Sequence, residues 1–135
     1  MTLKRRELPI LTRAESEVMQ LLWRHGPATV AELVERVPRD LAYTTVLTIV
    51  RILEQKGYAT HDRPAEGERA HRFRAAVEEG GVRKRHVRDL VDRLFGGAAT
   101  SLVSGLIDDE ALDRDQLKAL REQIDRRLGP RKGGR

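Results

Sequence analysis

Hydrophobic residues in this chain fall into six runs at helical spacing, interrupted once, near the middle, by a stretch where the helical period fails. The third run is the most informative. Read at about 100° per residue, Leu41 to Gly57 separates into two faces. Val46, Ile49, Val50 and Leu53 share one side, within about 100° of arc, the width of a core-facing stripe. Thr44, Thr48, Arg51 and Gln55 fall opposite. That second stripe contains one cation and no carboxylate, with Glu54 and Lys56 off it and Gly57 placed to close the helix. An ordinary amphipathic helix shares the apolar side. A polar side made of short hydrogen-bonding groups suits a helix pressed against a polyanion while reading more than its charge.

The runs on either side supply the context. Thr12-Arg13-Ala14-Glu15 is a capping box and opens a helix carrying Val18, Leu21, Leu22 and Trp23, which Gly26-Pro27 ends. Thr29-Val30-Ala31-Glu32 opens a second, short helix over Leu33, Val34 and Val37, stopped by Pro38. Arg39-Asp40 forms the turn, and the third helix runs from about Ala42 to Lys56. Two helices joined by a short turn, the second bearing the polar stripe, are the outline of a helix-turn-helix.

Where the helical period fails, Tyr58 to Arg63 and Arg69 to Arg74 flank Pro64-Ala65-Glu66-Gly67-Glu68, the pattern of a short hairpin. Arg63, Arg69, Arg72 and Arg74 cluster there with His61 and His71. A basic hairpin after a helix-turn-helix makes a winged helix. After Glu78-Glu79-Gly80-Gly81 the composition changes. A helix expected from Val82 carries Val87, Leu90, Val91, Leu94 and Phe95 up to Gly96-Gly97. A shorter one over residues 98–107 presents Leu102, Val103, Leu106 and Ile107. Asp113 caps a last helix with Leu117, Leu120, Ile124 and Leu128 before Gly129-Pro130. These three helices are too sparsely apolar to be stable alone, and a second copy of the same segment is the simplest partner for their stripes.

The expected fold class is therefore mainly α with a small β-hairpin wing. Residues 8–76 form a winged helix-turn-helix domain and residues 77–128 a helical dimerisation region. Residues 1–7 and 129–135 are expected to be basic, flexible termini.

Composition narrows the chemistry. The chain has 135 residues, a formal net charge of +5 and no cysteine. The charge makes nucleic acid the leading partner class. Absence of cysteine removes disulfides, thiolate catalysis and Cys-based zinc sites together. His25, His61, His71 and His86 are scattered without metal-ligand spacing, and no phosphate loop or nucleophile elbow is present. Asp108-Asp109-Glu110 sits in a loop before a helix, where carboxylates serve solvation and capping. No enzyme activity, metal or cofactor is expected. Without an apolar leader segment or membrane-length apolar run, the expected location is the cytoplasm, with no direct membrane binding. Up to Ala75 there are thirteen cations against ten acids, and beyond it thirteen against eleven. What distinguishes the N-terminal part is the arrangement of its cations around one helix and one hairpin.

Several segments together resemble the penicillinase-repressor (BlaI/MecI-type) winged-helix transcriptional regulators. They are Leu11 to Glu15, Val18-Met19, Leu22-Trp23, Gly26-Pro27, Leu41 to Val46, Arg51 to Gly57, Arg69 to Phe73 and Leu94 to Gly97. The likeness covers roughly residues 8 to 128, with Ala42-Tyr43-Thr44-Thr45-Val46 its most specific part. It implies a bacterial repressor that binds double-stranded, inverted-repeat operator DNA as a homodimer. It also implies release by a stress signal related to the cell wall or to β-lactams, with an inducing protease or membrane-sensor pathway as a further partner. Relatives cut by such a pathway carry an Asn-Phe pair at the scissile site, and the aligned positions here are Gly105-Leu106. Nor does the chain have the C-terminal cysteines of copper-responsive relatives.

The residues expected to meet DNA are Tyr43, Thr44, Thr45, Thr48 and Arg51 on the third helix, and Arg63, Arg69 and His71 on the hairpin. Those expected to join two copies are Val87, Leu90, Val91, Leu94, Phe95, Leu102, Leu106, Leu117, Leu120 and Ile124. The competing class is a winged helix used for protein–protein contact without sequence-specific DNA binding. A gel shift with competitor DNA separates the two.

Overall fold

The computed structural model describes residues 8–130; the basic arm and the basic tail expected at the two ends lie largely outside them. Six helices and one hairpin follow in the order α1 (Arg13–His25), α2 (Val30–Arg36), α3 (Tyr43–Lys56), β1 (Ala59–Asp62), β2 (Arg72–Ala75), α4 (Glu79–Leu94), α5 (Ala99–Asp108) and α6 (Arg114–Leu128). Both expected capping boxes close, Thr12 with Glu15 and Thr29 with Glu32, and Asp113 with Gln116 forms a third. These local devices satisfy the first backbone N–H groups of α1, α2 and α6. The structure divides into two compact units, one up to Val87 and one from Arg88 onward, so the division falls inside α4.

In the first unit, fourteen buried residues make one core, with contributions from all three helices and both strands. Val46, Val50 and Leu53 of α3 are fully buried there and Ile49 nearly so, as the helical stripe predicts. Trp23 is partly buried against this core, and its indole N–H donates to the Val77 carbonyl at 2.9 Å. β1 and β2 pair antiparallel with Ala59 opposite Ala75 and His61 opposite Phe73, a narrower hairpin than the sequence suggests. A third segment adds to it: Ala28 and Phe73 exchange two backbone hydrogen bonds, of 2.9 and 2.8 Å. The α1–α2 connection thus pairs with the far strand of the wing. Short-range pattern cannot show this, because the partners lie 45 positions apart in the chain.

The helix expected from Val82 begins three residues earlier, with Gly80 and Gly81 inside its first turn. Glycine opposes helix by roughly 1 kcal/mol per residue relative to alanine. Tertiary anchors override that preference. Val77 and Val82 pack on the core, Arg85 Nε donates to the Leu8 carbonyl at 3.0 Å, and the Leu11 N–H donates to His86 Nε2 at 2.9 Å. His86 Nδ1 in turn lies 2.9 Å from the Val82 carbonyl, so the proton sits on Nδ1.

Glu15, only 5% exposed, joins the start of α1 to the end of α3. Its carboxylate accepts the Thr12 N–H at 2.9 Å and two contacts from Lys56 Nζ at 2.8 and 3.0 Å. Burial opposes ionisation, but the Lys56 hydrogen bond and charge and the Thr12 contacts outweigh it, so its pKa lies below the ordinary glutamate value. Gly57 then takes a left-handed φ of 91°, and a Cβ there would stand 3.0 Å from a Leu8 methyl. Tyr58 is buried next to it, and its hydroxyl donates to the Pro9 carbonyl.

The second unit is different. Among its described residues Val91 is the one buried apolar side chain, at 7% exposure, whereas Leu94 is 70% and Ile124 55% exposed.

Two predictions follow from this packing. Lys56→Met leaves the Glu15 carboxylate buried without its cation and should cost about 3 kcal/mol, the low end for a broken buried pair because Lys56 itself keeps some solvent. The lowered pKa of Glu15 means that its contribution is present above the ordinary glutamate range and is lost as pH falls through the lower folded value. The gap in denaturation midpoint between wild type and variant should therefore be widest near neutrality and close toward acid; a gap that widened toward acid would refute the assignment. Gly80 and Gly81 have nothing within 4 Å of a built Cβ and no positive φ. Gly80→Ala and Gly81→Ala should each raise stability by roughly 0.5–1 kcal/mol, read as a higher melting temperature.

Candidate nucleic-acid interface

The buried stripe of α3 fixes what its other side presents. With Val46, Ile49, Val50 and Leu53 held in the core, Tyr43, Thr44, Thr45, Thr48, Arg51 and Gln55 are all exposed. The helix begins on Ala42, which supplies no side-chain cap, and its first turn contains no acid. Its leading N–H groups are therefore not taken up by a side chain, the condition under which a helix start attracts an anion. Thr48 Oγ donates to the Thr44 carbonyl at 2.9 Å, which uses its one donor and leaves the exposed hydroxyl able to accept.

Between α3, from Tyr43 to Glu54, and the hairpin lies an open cleft of about 390 Å³. Phe73, Leu47 and Val30 give it apolar walls, and Tyr43, Arg51, Arg69 and His71 line it with Glu54 and His61. Four of the eight residues expected to meet DNA are thus brought into one cleft. Thr44, Thr45 and Thr48 lie on the exposed side of α3 outside its lining, and Arg63 follows the end of β1, also outside it.

The hairpin cations divide by partner. Arg72 is held by Glu32 at 3.0 Å and Glu68 at 3.2 Å, and Arg74 Nε by Asp62 at 3.1 Å. All three pairs are partly solvated and tie the wing to itself and to α2; such pairs contribute little to stability but do consume charge. Glu32 has its pKa lowered by the Thr29 N–H and then by Arg72, and Arg72 is raised in return by Glu68 and Glu32. Arg51, Arg63 and Arg69 have no ion-pair partner among the described residues.

Sequence reasoning missed one pair at this site. His61 Nδ1 lies 2.5 Å from Glu54 Oε2, in the cleft beside Arg51 and Arg69. Glu54 reads as off the polar stripe, and its meeting with His61 depends on the sharp chain reversal at Gly57, which periodicity does not resolve.

Of the residues expected to join two copies, Val87, Leu90, Leu94, Leu106, Leu117 and Ile124 are exposed, and Phe95, Leu102 and Leu120 are partly buried. Val91 is buried within the single chain, so a charge there disturbs the chain's own packing as well as any contact between copies. Phe95, Leu102, Gly105 and Leu106 line a second, shallower cavity of about 490 Å³, with Asp108 and Asp109 at its side. Among the described residues no cluster of His, Asp and Glu could hold a metal ion, and no single helix is long and apolar enough to cross a membrane.

The sequence profile of the penicillinase repressor family matches residues 11–126. The methicillin resistance regulatory protein MecI of Mammaliicoccus sciuri is 24% identical over 119 residues, which cover 87% of this chain and 94% of that protein. The penicillinase repressor of Bacillus licheniformis is 21% identical over 117 residues, covering 85% and 89%. A mutant MarR from E. coli, complexed with operator DNA, superposes with a TM-score of 0.49 at 18% identity, covering 89% of this chain and 76% of that one, a likeness too partial to build on.

Proposed function

Because the chain belongs to the penicillinase repressor family, and so is a DNA-binding regulator and not an enzyme, we propose that it represses transcription as a homodimer on an inverted-repeat operator, with α3 as the reading element. One observation carries this reading. The exposed side of α3 is a carboxylate-free stripe of Thr44, Thr45, Thr48, Arg51 and Gln55, held outward by four buried aliphatic residues and flanked by unpaired Arg63 and Arg69.

A helix presented in this way enters the major groove with its N-terminal half deepest. The methyl and the accepting hydroxyl of Thr48 suit a thymine methyl or an amino group on a base edge. Arg51 addresses a guanine or a phosphate, and a bidentate guanine contact contributes about 1–3 kcal/mol of discrimination. Arg63, Arg69 and His71 meet the backbone from the wing and give affinity without sequence choice. Gln55, a turn further along, reaches the rim.

The second unit supports assembly by what it lacks. One buried apolar side chain among its described residues cannot hold the last turns of α4, α5 and α6 folded, while several large ones stay in water. A second copy covers them, and a two-fold axis then sets the two reading helices about 34–36 Å apart, or a multiple of it, along the operator. Linking two weak half-site contacts raises affinity through effective concentration, so a stress signal that separates the copies removes repression. A protease acting at the Gly105–Leu106 bond would have to unwind α5, where both residues are helical.

Footprinting on DNA upstream of the chain's own gene tests the reading. Thr48→Ala and Arg51→Ala should each weaken binding by about 1–3 kcal/mol, roughly fivefold to 160-fold, while sedimentation shows an unchanged assembly. Loss of Arg51 should either relax the preference at one base or, if it meets phosphate, reduce the salt slope by about one. Intact footprints from both variants would remove α3 from the interface and favour a protein-contact module. Leu94→Glu and Ile124→Glu place charge on open apolar positions and should yield monomers that bind single half-sites weakly; an unaltered dimer in sedimentation would refute this surface.

A further inference from the structure

We propose that the Glu54–His61 pair makes operator binding proton-linked, with His61 a positioning residue that masks a carboxylate beside the reading helix and takes up a proton when DNA binds. This rests on the reading of α3 given above. Glu54 is the acid of α3 that lines the cleft with Arg51 and Arg69, and its side chain is 30% exposed. A bare carboxylate there would repel the phosphates that Arg51 and Arg69 attract. His61 covers it at 2.5 Å.

The contact fixes the imidazole's tautomer. A carboxylate oxygen against Nδ1 requires the proton on Nδ1 in either charge state, so Nε2 is the atom left facing away from Glu54 to accept or release a second proton. Neutral, Nε2 offers a lone pair, which repels a phosphate oxygen. Protonated, it donates to one.

The other groups around the ring are accounted for. From α3 come Arg51 and Tyr43; from the hairpin loop comes Arg69. His71 stands edge-on with its ring centroid 5.0 Å away and its own Nδ1 3.3 Å from the Asp62 carbonyl. The Asp62 carboxylate on β1 is held by Arg74, and Arg72 on β2 by Glu32 and Glu68. Phe73 presents its ring at 5.4 Å. Glu54 is therefore the one nearby carboxylate whose partner is an imidazole.

The sign follows from linkage. Phosphates add negative charge near Nε2 and raise its proton affinity in the complex above that in the free protein. Affinity for DNA is then greatest below the free protein's titration range and falls as pH rises through that of the complex. One linked proton allows at most a tenfold change in Kd per pH unit.

The test is fluorescence anisotropy of a labelled duplex, defined by the footprint upstream of the chain's own gene, at constant ionic strength from about pH 5.5 to about pH 8.5. Wild type should weaken with rising pH, approaching tenfold per unit at its steepest. His61→Gln should lose that slope and stay near the wild-type affinity at high pH. Glu54→Gln should bind more tightly than wild type at the alkaline end, with its profile displaced to lower pH. His25→Gln, at the end of α1 and outside the cleft, should keep the wild-type profile, and His71→Gln, which removes a backbone contact, should weaken binding while keeping the slope. NMR titration of the His61 ring should give a higher midpoint with the duplex than without it. A pH-independent wild type, a slope that survives in His61→Gln or vanishes only in His71→Gln, or an unchanged midpoint would overturn the proposal. Failure of wild type to bind the duplex at any pH would instead overturn the reading of α3 on which it rests.

Discussion

The orientation of α3 depends on a charge held inside the protein. Glu15 completes the cap of α1 and receives Lys56 from the last turn of α3, so one carboxylate ties the first helix's start to the third helix's end. Taking these charges from water is costly, and the pair persists because the Thr12 N–H and the ammonium together satisfy the carboxylate. Leu8 against Gly57 and Tyr58 against Pro9 close the same corner. With that end pinned and four aliphatic residues buried, α3 cannot rotate about its axis. A slip of one residue turns a helix by about 100°, enough to carry threonines toward the core. The exposed stripe is thus a consequence of the core and of one ion pair.

Much of this was legible in the sequence because it is encoded locally. Capping boxes at Thr12 and Thr29, the stop at Gly57 and the stripe from Val46 to Leu53 each lie within a few turns, and each appears where expected. The misses are contacts between distant segments. Ala28 pairs with Phe73 across the whole of α2 and α3, and Gly80-Gly81 is helical because Leu8 and Leu11 bond to Arg85 and His86. Propensity marks two adjacent glycines as a break; long-range anchorage decides otherwise. Glu54 and His61 are only seven residues apart, yet a helix end and a left-handed glycine intervene, and no single period spans both.

The two units contrast in how they are stabilised. The first owns a core of fourteen residues and its own caps. The second buries Val91 and leaves leucines and isoleucines in water, so most of its large apolar side chains are not buried within the single chain. If that burial comes from a second copy, stability of the C-terminal helices and occupancy of a two-fold operator share one equilibrium. A signal then needs no contact with DNA to end repression.

Net charge explains little of the interface; the pairing of charges explains more. Around α3 and the wing, Glu15 is matched by Lys56, Glu32 and Glu68 by Arg72, Asp62 by Arg74 and Glu54 by His61. With those acids matched, Arg51 on α3 and Arg63 and Arg69 on the wing have no ion-pair partner among the described residues, and Glu66 in the hairpin loop is the wing acid that is likewise unpaired. In the first three matches the cation is a lysine or an arginine, which stays charged at any pH the cell meets. The fourth uses an imidazole, so it is the one match in this set whose charge can change near neutrality. A chain with an excess of only five positive charges thereby presents a cluster of cations without ion-pair partners, and the match whose charge is adjustable stands in the cleft between α3 and the wing.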